Sequence, residues 1–404
     1  MLYIQSSVSF GVTFNKQTIS KRFVAEGCAV ADFDKDGHAD ITAGNNIWFG
    51  PQFDERVVFT PPANNPSGPS KTPYDPKRGY SDYFLAFTYD FNSDGWSDIL
   101  VYGLPGKPAL VFVNPQGRDK GYWSQHAVFD IADGESPGLR DMNADGRPEL
   151  FVHSSDGNKK GGQLGFAKID WQQPLSKAAF HPITPRSPEN DKKYFRYTHG
   201  SGAGDMNGDN RVDILTKDGW FEQPPSSESP TFWEFHPGPF GPPNARGGAQ
   251  MYVRDVNGDG RSDVITSLDA HGYGLAWFEQ KENGAFREHI ILNHTPDEQP
   301  SGISFSQLHA VAMTDIDGDG LDDIVTGKRR WAHGISGDVE PNAPPVLYWF
   351  GLQRNDSGEA TFVPHLIDND SGVGTQVTTA DLNNDGRPDI IVANKHGVFA
   401  FRQQ

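Results

Sequence analysis

The sequence predicts an all-β chain in which seven four-stranded units close radially into a seven-bladed β-propeller. Three observations carry that expectation. A nine-residue acidic segment recurs seven times along the 404 residues, at intervals of roughly 60. Each copy lies between short stretches of strand character, such as Val311-Ala312-Met313 before and Ile324-Val325-Thr326 after. The 45 Gly and 30 Pro suit a turn-rich chain and fall short of the level that marks disorder.

The unit is read in order as a first strand, the acidic turn and a second strand. Most copies continue into an aromatic third strand, as at Trp48-Phe49, Trp220-Phe221, Trp277-Phe278 and Trp349-Phe350. Several end on a fourth, for example His289-Ile290-Ile291 or His365-Leu366-Ile367. A lone unit of this kind cannot bury both faces, whereas radial stacking covers both. The last unit ends at Val398–Phe401, one strand short, while Thr13–Ile19 precede the first repeat and read as a strand. Residues 10–20 are therefore expected to complete the last blade, giving a single domain over residues 1–404 and a monomer. Seven independent hairpins are the other arrangement, disfavoured because short, edge-rich hairpins are marginal on their own.

The acidic segment has the form Asp-x-Asp/Asn-x-Asp-Gly-x-x-Asp. Oxygens at positions one, three, five and nine, with a backbone carbonyl at seven and a sharp turn at six, can wrap one hard cation, and flexible oxygen donors select Ca²⁺. The expected side-chain ligands in the first two copies are Asp32, Asp34, Asp36 and Asp40, then Asp90, Asn92, Asp94 and Asp98. The third and fourth offer Asp141, Asn143, Asp145 and Glu149, then Asp205, Asn207, Asp209 and Asp213. The fifth and sixth offer Asp255, Asn257, Asp259 and Asp263, then Asp315, Asp317, Asp319 and Asp323. The seventh offers Asp381, Asn383, Asp385 and Asp389. Up to seven structural Ca²⁺ ions are expected. The metal-free reading of any one copy is an Asx-turn. Asn210 replaces the turn glycine in the fourth copy, and Glu149 replaces the last Asp in the third.

These loops resemble the FG-GAP or VCBS repeats of the integrin-like propeller superfamily, over nearly the whole chain. The resemblance implies that each calcium staples the turn between the first and second strands of a blade, on one face of the ring. Longer phrases, Tyr197-Thr198-His199-Gly200, Gly248–Val253 and Phe305–Ala310, are similar to those of a secreted bacterial VCBS-repeat family. That likeness implies a secreted or periplasmic protein. Met1–Gln5 contain no leader, so either the leader lies outside this numbering or the chain is intracellular. Seven-bladed polysaccharide lyases and a sugar dehydratase share the architecture, which speaks to fold rather than activity.

The 53 acids outnumber the 35 bases, a formal charge of −18, which argues against a nucleic-acid partner. Most of that excess lies in the seven loops, and the remainder of the chain is mildly basic, so an anionic partner away from the loops is compatible with it. There is no run of apolar residues long enough to span a membrane. A single cysteine, Cys28, excludes an intrachain disulfide and reads as a small buried hydrophobe.

With the calcium loops on one face, the connections into each first strand and those between second and third strands emerge on the other. The long connections belong there: 60–83, 184–199, 236–250 and 292–309, with Val152–Gly162, Ser267–Gly274 and Gly327–Pro345. Loops of this length mark the working face. Counting six residues back from each repeat's first Asp places Glu26, Phe84, Glu135, His199, Ala249, His309 and Thr375 nearest the central opening, with Gln250 and Gln376 one step on. The bland reading is a tunnel filled by mutual hydrogen bonds. Arg196, Arg246, His271 and the run Lys328-Arg329-Arg330-Trp331-Ala332-His333 add cations around it. The bland reading of that run is a solvated face. Tyr80, Tyr83 and Tyr273 could stack on sugars, though such residues are more often core.

Two functions fit. One is a carbohydrate-active enzyme, a lyase on uronate-containing glycan. Its carboxylate would be neutralised by Arg196, Arg246, Lys328 or Arg329, its base would be His199 or His309, and its acid would be Tyr252, with Gln250, His271 and Glu135 in the substrate site. A hydrolase would need two carboxylates, for which Glu26 and Glu135 are candidates. The other function is a non-catalytic module of integrin-like type that binds a glycan or another anionic ligand. The sequence holds no nucleophile elbow, His-Glu-x-x-His or phosphate loop; zinc stays open but unsupported, since the histidines are scattered and the single cysteine lies in a first strand.

Overall fold

The computed structural model describes residues 11–61, 74–118, 120–155, 157, 161–225, 232–296, 301–355 and 358–404. The leader reading of Met1–Gln5, and parts of the connections 60–83, 152–162 and 292–309, lie outside the described residues.

The fold is all-β and propeller-like. The chain enters through β1 (Phe14–Ser20) and then runs β2 (Cys28–Ala31), β3 (Asp40–Ala43), β4 (Asn46–Trp48) and β5 (Arg56–Val58), an antiparallel four-stranded sheet. Next come β6 (Leu85–Tyr89), β7 (Asp98–Tyr102), β8 (Lys107–Val113) and the long β9 (Ser124–Arg140). The start of β9 pairs with β8, and its end pairs with β10 (Glu149–Ser154), which continues to β11 (Gln163–Lys168) and β12 (Ala179–Pro182). After the short helix α1 (Pro188–Lys193) come β13 (Ser201–Gly204), β14 (Asp213–Thr216), β15 (Gly219–Glu222) and β16 (Glu234–Pro237). The next four are β17 (Gln250–Arg254), β18 (Asp263–Ser267), β19 (Leu275–Gln280) and β20 (Phe286–Leu292). Then follow β21 (Val311–Thr314), β22 (Asp323–Gly327), β23 (Leu347–Arg354) and β24 (Ala360–Asp368). The chain ends with β25 (Val377–Ala380), β26 (Asp389–Asn394) and β27 (Gly397–Gln403), and β1 pairs antiparallel with β27, Phe14 opposite Gln403.

Two features depart from a plain four-strand count. β9 is one strand serving two sets; Gly134 at φ 81° and a register shift take up the bend where it passes from rim to centre. β13 and β17, first strands of adjacent sets, pair in parallel through Ser201–Gln250 and Gly202–Met251. Glycine permits that approach: a Cβ on Gly202 would stand 2.2 Å from the Met251 carbonyl oxygen.

First strands lie side by side around a circuit: β2 against β6, then β9, β13, β17, β21, β25 and back to β2. They line a central cavity of about 390 Å³ that includes Leu85, Ser136, Gln250, Tyr252, Val311 and Gln376. The apolar core lies between neighbouring sheets, where Ile41, Trp48, Phe112 and Ile391 share one cluster drawn from three sets. A device repeats outside the centre: the third-strand tryptophans 220, 277 and 349 stack on fourth-strand His236, His289 and His365 at 4.2, 4.0 and 4.2 Å. Those three histidines serve packing. Among the described residues, no helix is long and apolar enough to cross a membrane.

Candidate functional site

The seven acidic turns share one conformation. In each, the sixth residue's N–H donates to the first Asp at 2.7–2.9 Å. The fourth and sixth residues take left-handed φ in every loop, and Asn210 holds the glycine position at φ 65°, which asparagine tolerates. The oxygens of Asp32, Asp34 and Asp36 lie within 4.8 Å of one another, as do those of Asp315, Asp317 and Asp323. An all-oxygen set of this kind suits a hard cation. The ninth acid has a further task that the motif does not reveal. Asp40, Asp98, Glu149, Asp213, Asp263, Asp323 and Asp389 are buried and accept the second residue's N–H at 2.8–3.0 Å. All but Glu149 also accept an N–H at or just beyond the third strand, as from Gly50 to Asp40 at 2.8 Å. They therefore tie the turn to the third strand. In the first loop, the Arg118 guanidinium bonds Asp34 and also reaches Asp36 and Glu55, each at 2.7 Å.

On the side of the long connections, four side chains from four places in the sequence converge. Glu135 lies on the inner end of β9, His199 ahead of β13, His309 ahead of β21, and His271 between β18 and β19. Glu135 Oε2 is 3.3 Å from His199 Nε2 and 3.2 Å from His309 Nε2. His199 Nε2 is 3.3 Å from His309 Nε2 and 3.1 Å from His271 Nε2. Burial pushes the Glu135 carboxyl up, but the His199 and His309 imidazoles outweigh it and hold the group well below the usual carboxylate range. Burial, with the Arg329 charge nearby, pushes His309 well below the ordinary imidazole value. His271 is lowered by burial against the pull of Asp338. Three histidines that are scattered in sequence thus meet in space.

The expected cations are committed elsewhere. Arg329 is buried and bonds Glu26 Oε1 at 2.5 Å, which also removes Glu26 from a hydrolase pair. Arg196 donates to Asp133 at 3.0 Å. Lys328 is fully buried and donates to Ser306 Oγ at 2.6 Å, and burial pushes its ammonium down to about 8. Each of these three expected cations therefore has a buried partner within the protein. Tyr252 donates its hydroxyl to the Val311 carbonyl at 2.9 Å and lines the central cavity, so its proton is engaged with the backbone. Gln250 clamps Thr375 and Val311 backbone at 3.0 Å each. Arg246 remains exposed, with its guanidinium 6.0 Å from the Phe195 ring centre.

Other groups at this centre carried weak or no sequence signal. His333, at the end of the basic run, is half-exposed and held 2.7 Å from Asp338 Oδ1, and its ring centre is 4.4 Å from that of His271. Asp338 lies inside a long loop where nothing local distinguishes it. Tyr80, 37% exposed, has the Lys395 ammonium 4.9 Å from its ring centre, and burial of the rest of the ring raises its phenol to about 12. Tyr83 is core.

An FG-GAP-like repeat model matches residues 255–326, and an FG-GAP repeat model matches residues 373–401. The chain carries FG-GAP repeats. No curated protein matches it by sequence. Among solved structures, an Agrocybe aegerita lectin that recognises non-reducing terminal N-acetylglucosamine aligns at 15% identity and TM-score 0.48, over 89% of this chain and 82% of that one. The V. cholerae biofilm matrix protein Bap1 aligns at 11% identity and TM-score 0.44, over 97% and 91%. A Bacillus licheniformis rhamnogalacturonan lyase aligns at 11% identity and TM-score 0.45, over 97% and 75%.

Proposed function

We propose that the chain is a secreted or periplasmic, calcium-stapled seven-bladed β-propeller, a single domain, whose loop-rich face binds an acidic glycan and cleaves it by β-elimination. The observation that carries this is the convergence of Glu135, His199, His271 and His309 beside Tyr80, His333 and Asp338. Ionisable groups gathered at one opening are the usual mark of a reactive site. β-Elimination takes the proton beside the uronate carboxylate, forms the ring double bond as the glycosidic C–O bond breaks, and returns a proton to the leaving oxygen. His333 suits the first step: Asp338 holds its Nδ1, leaving Nε2 to accept the proton. Tyr80 suits the last, because it is exposed and protonated at neutral pH.

Incubation with a panel of uronate-containing polysaccharides should produce the ultraviolet absorbance of an unsaturated uronate. His333→Ala should then lower kcat by about 10²–10⁴-fold with folding intact. A second reading, a glycan-binding module without chemistry, draws on one observation: Arg196, Lys328 and Arg329, three of the cations nearest the opening, are each bonded within the protein, which leaves fewer charges to neutralise a uronate carboxylate. Binding across the panel without any absorbance change would select that reading and overturn the lyase.

A further inference from the structure

We infer that Glu135, His199, His271 and His309 form a binding site for one divalent transition-metal ion, and that zinc is the ion whose shell the geometry matches. This goes beyond the glycan reading and stands without it. The three histidines each offer a ring nitrogen within 4.8 Å of the others. Four donor–donor contacts link the set: His199 Nε2 to His271 Nε2 3.1 Å, to His309 Nε2 3.3 Å and to Glu135 Oε2 3.3 Å, and His309 Nε2 to Glu135 Oε2 3.2 Å. Ligand bonds of about 2.0–2.1 Å in a tetrahedral shell put neighbouring donor atoms about 3.3 Å apart.

Hydrogen bonding leaves at least one of these contacts, His199 Nε2 to Glu135 Oε2, without a donor when His199 is neutral. His199 Nδ1 is 3.0 Å from the Tyr197 carbonyl, which can only accept, so Nδ1 carries the proton. In the neutral ring, Nε2 is then a lone pair that can accept one N–H, from His271 or His309, yet it also stands 3.3 Å from the Glu135 carboxylate oxygen with no proton between them. Protonating Nε2 leaves a single in-plane N–H for three neighbours. A cation at their common focus is served by all four groups at once and balances the buried Glu135 charge, while Arg329 is taken by Glu26.

Among the three rings, His199 has a hydrogen-bonded outer partner, while the Nδ1 atoms of His271 and His309 have none among the described residues. The Tyr197 carbonyl orients His199, and Asp338 Oδ1 stands 3.6 Å from His271 Nδ1 while bonding His333. His309 Nδ1 has no hydrogen-bond partner among the described residues, so that ring's polar contacts fall on Nε2 alone. The His199 and His309 side chains are 1% exposed, Glu135 11% and His271 18%, so an ion reaches the site past His271. Three nitrogens and one oxygen favour zinc or a neighbouring first-row ion over calcium, which takes oxygen. The site is therefore chemically separate from the acidic turns.

The test uses the full-length protein in buffer with millimolar calcium, which occupies oxygen sites. Cobalt(II) is the probe, because a tetrahedral cobalt shell absorbs strongly in the visible. The expected result is one equivalent of cobalt bound with that absorption and displaced by zinc. His271→Ala and Glu135→Gln should each weaken cobalt binding at least about 100-fold, a loss no smaller than that from outer-shell changes. His289→Ala, in a packing pair at the rim, should bind like wild type. Wild-type protein that shows no tetrahedral cobalt spectrum, or a spectrum that survives both substitutions, overturns the site. Glu135→Gln keeps the side-chain volume, so it decides the matter if His271→Ala fails to fold.

Discussion

If the acidic turns hold calcium as proposed, its removal should lower the melting temperature by on the order of 10 °C. The acidic turns each present four oxygen-bearing side chains, three or four of them carboxylates, at the strand-one to strand-two corners, and the fourth and sixth residues of every turn are left-handed. An ion that binds these folded turns and not the unfolded chain stabilises by mass action, about 2.7 kcal/mol per site when free ion stands at 100 times Kd. Without it, several carboxylates face one another within 4.8 Å at loops such as Asp315–Asp323. The comparison is thermal unfolding in millimolar calcium against excess chelator selective for calcium over zinc. Coincident curves would end the reading of these turns as calcium loops. The first turn should be less sensitive than the others, because Arg118 supplies positive charge to both Asp34 and Asp36, whereas Arg211, Arg261 and Arg387 each reach one carboxylate of their loops. Arg118→Ala should therefore widen the calcium-dependent shift.

The second large effect is expected at the buried pair Glu26–Arg329. Both side chains are at most 3% exposed, and their groups lie 303 residues apart in sequence. Arg329→Met removes the charge at similar volume and leaves Glu26 buried without its partner. Such a break costs about 3–5 kcal/mol, whereas removing both charges costs much less. Denaturant unfolding should show the midpoint of Arg329→Met falling with the slope unchanged. The double variant Glu26→Gln with Arg329→Met should recover most of the loss. A single variant within about 1 kcal/mol of wild type would mean that solvent reaches the pair.

The paired cations also explain where residue-type reasoning fell short. A run such as Lys328-Arg329-Arg330 reads as a charged surface, yet Lys328 and Arg329 are buried and partnered by Ser306 and Glu26. Charge on a sequence says what a side chain offers, and burial decides whether anything is left to offer. The same holds for Tyr252, whose proton lies on the Val311 carbonyl.

The sequence by itself determined the local structure. The acidic period marks seven turns, and the apolar stretches beside it place the strands Cys28–Ala31 and Asp40–Ala43 and their six counterparts. These elements are legible because turn geometry and strand alternation depend on neighbours a few residues away. Counting from the turns also singled out Glu135, His199 and His309 as equivalent positions on three first strands or the residues leading into them. Only the tertiary structure decided that these groups touch, that His271 joins them from a different connection, and that Asp338 and His333 stand behind it. His199 and His309 are 110 residues apart, and His199 and His271 are 72. Contacts at that separation depend on how the sheets pack around their common centre, a property of the closed circuit of first strands and of no single segment.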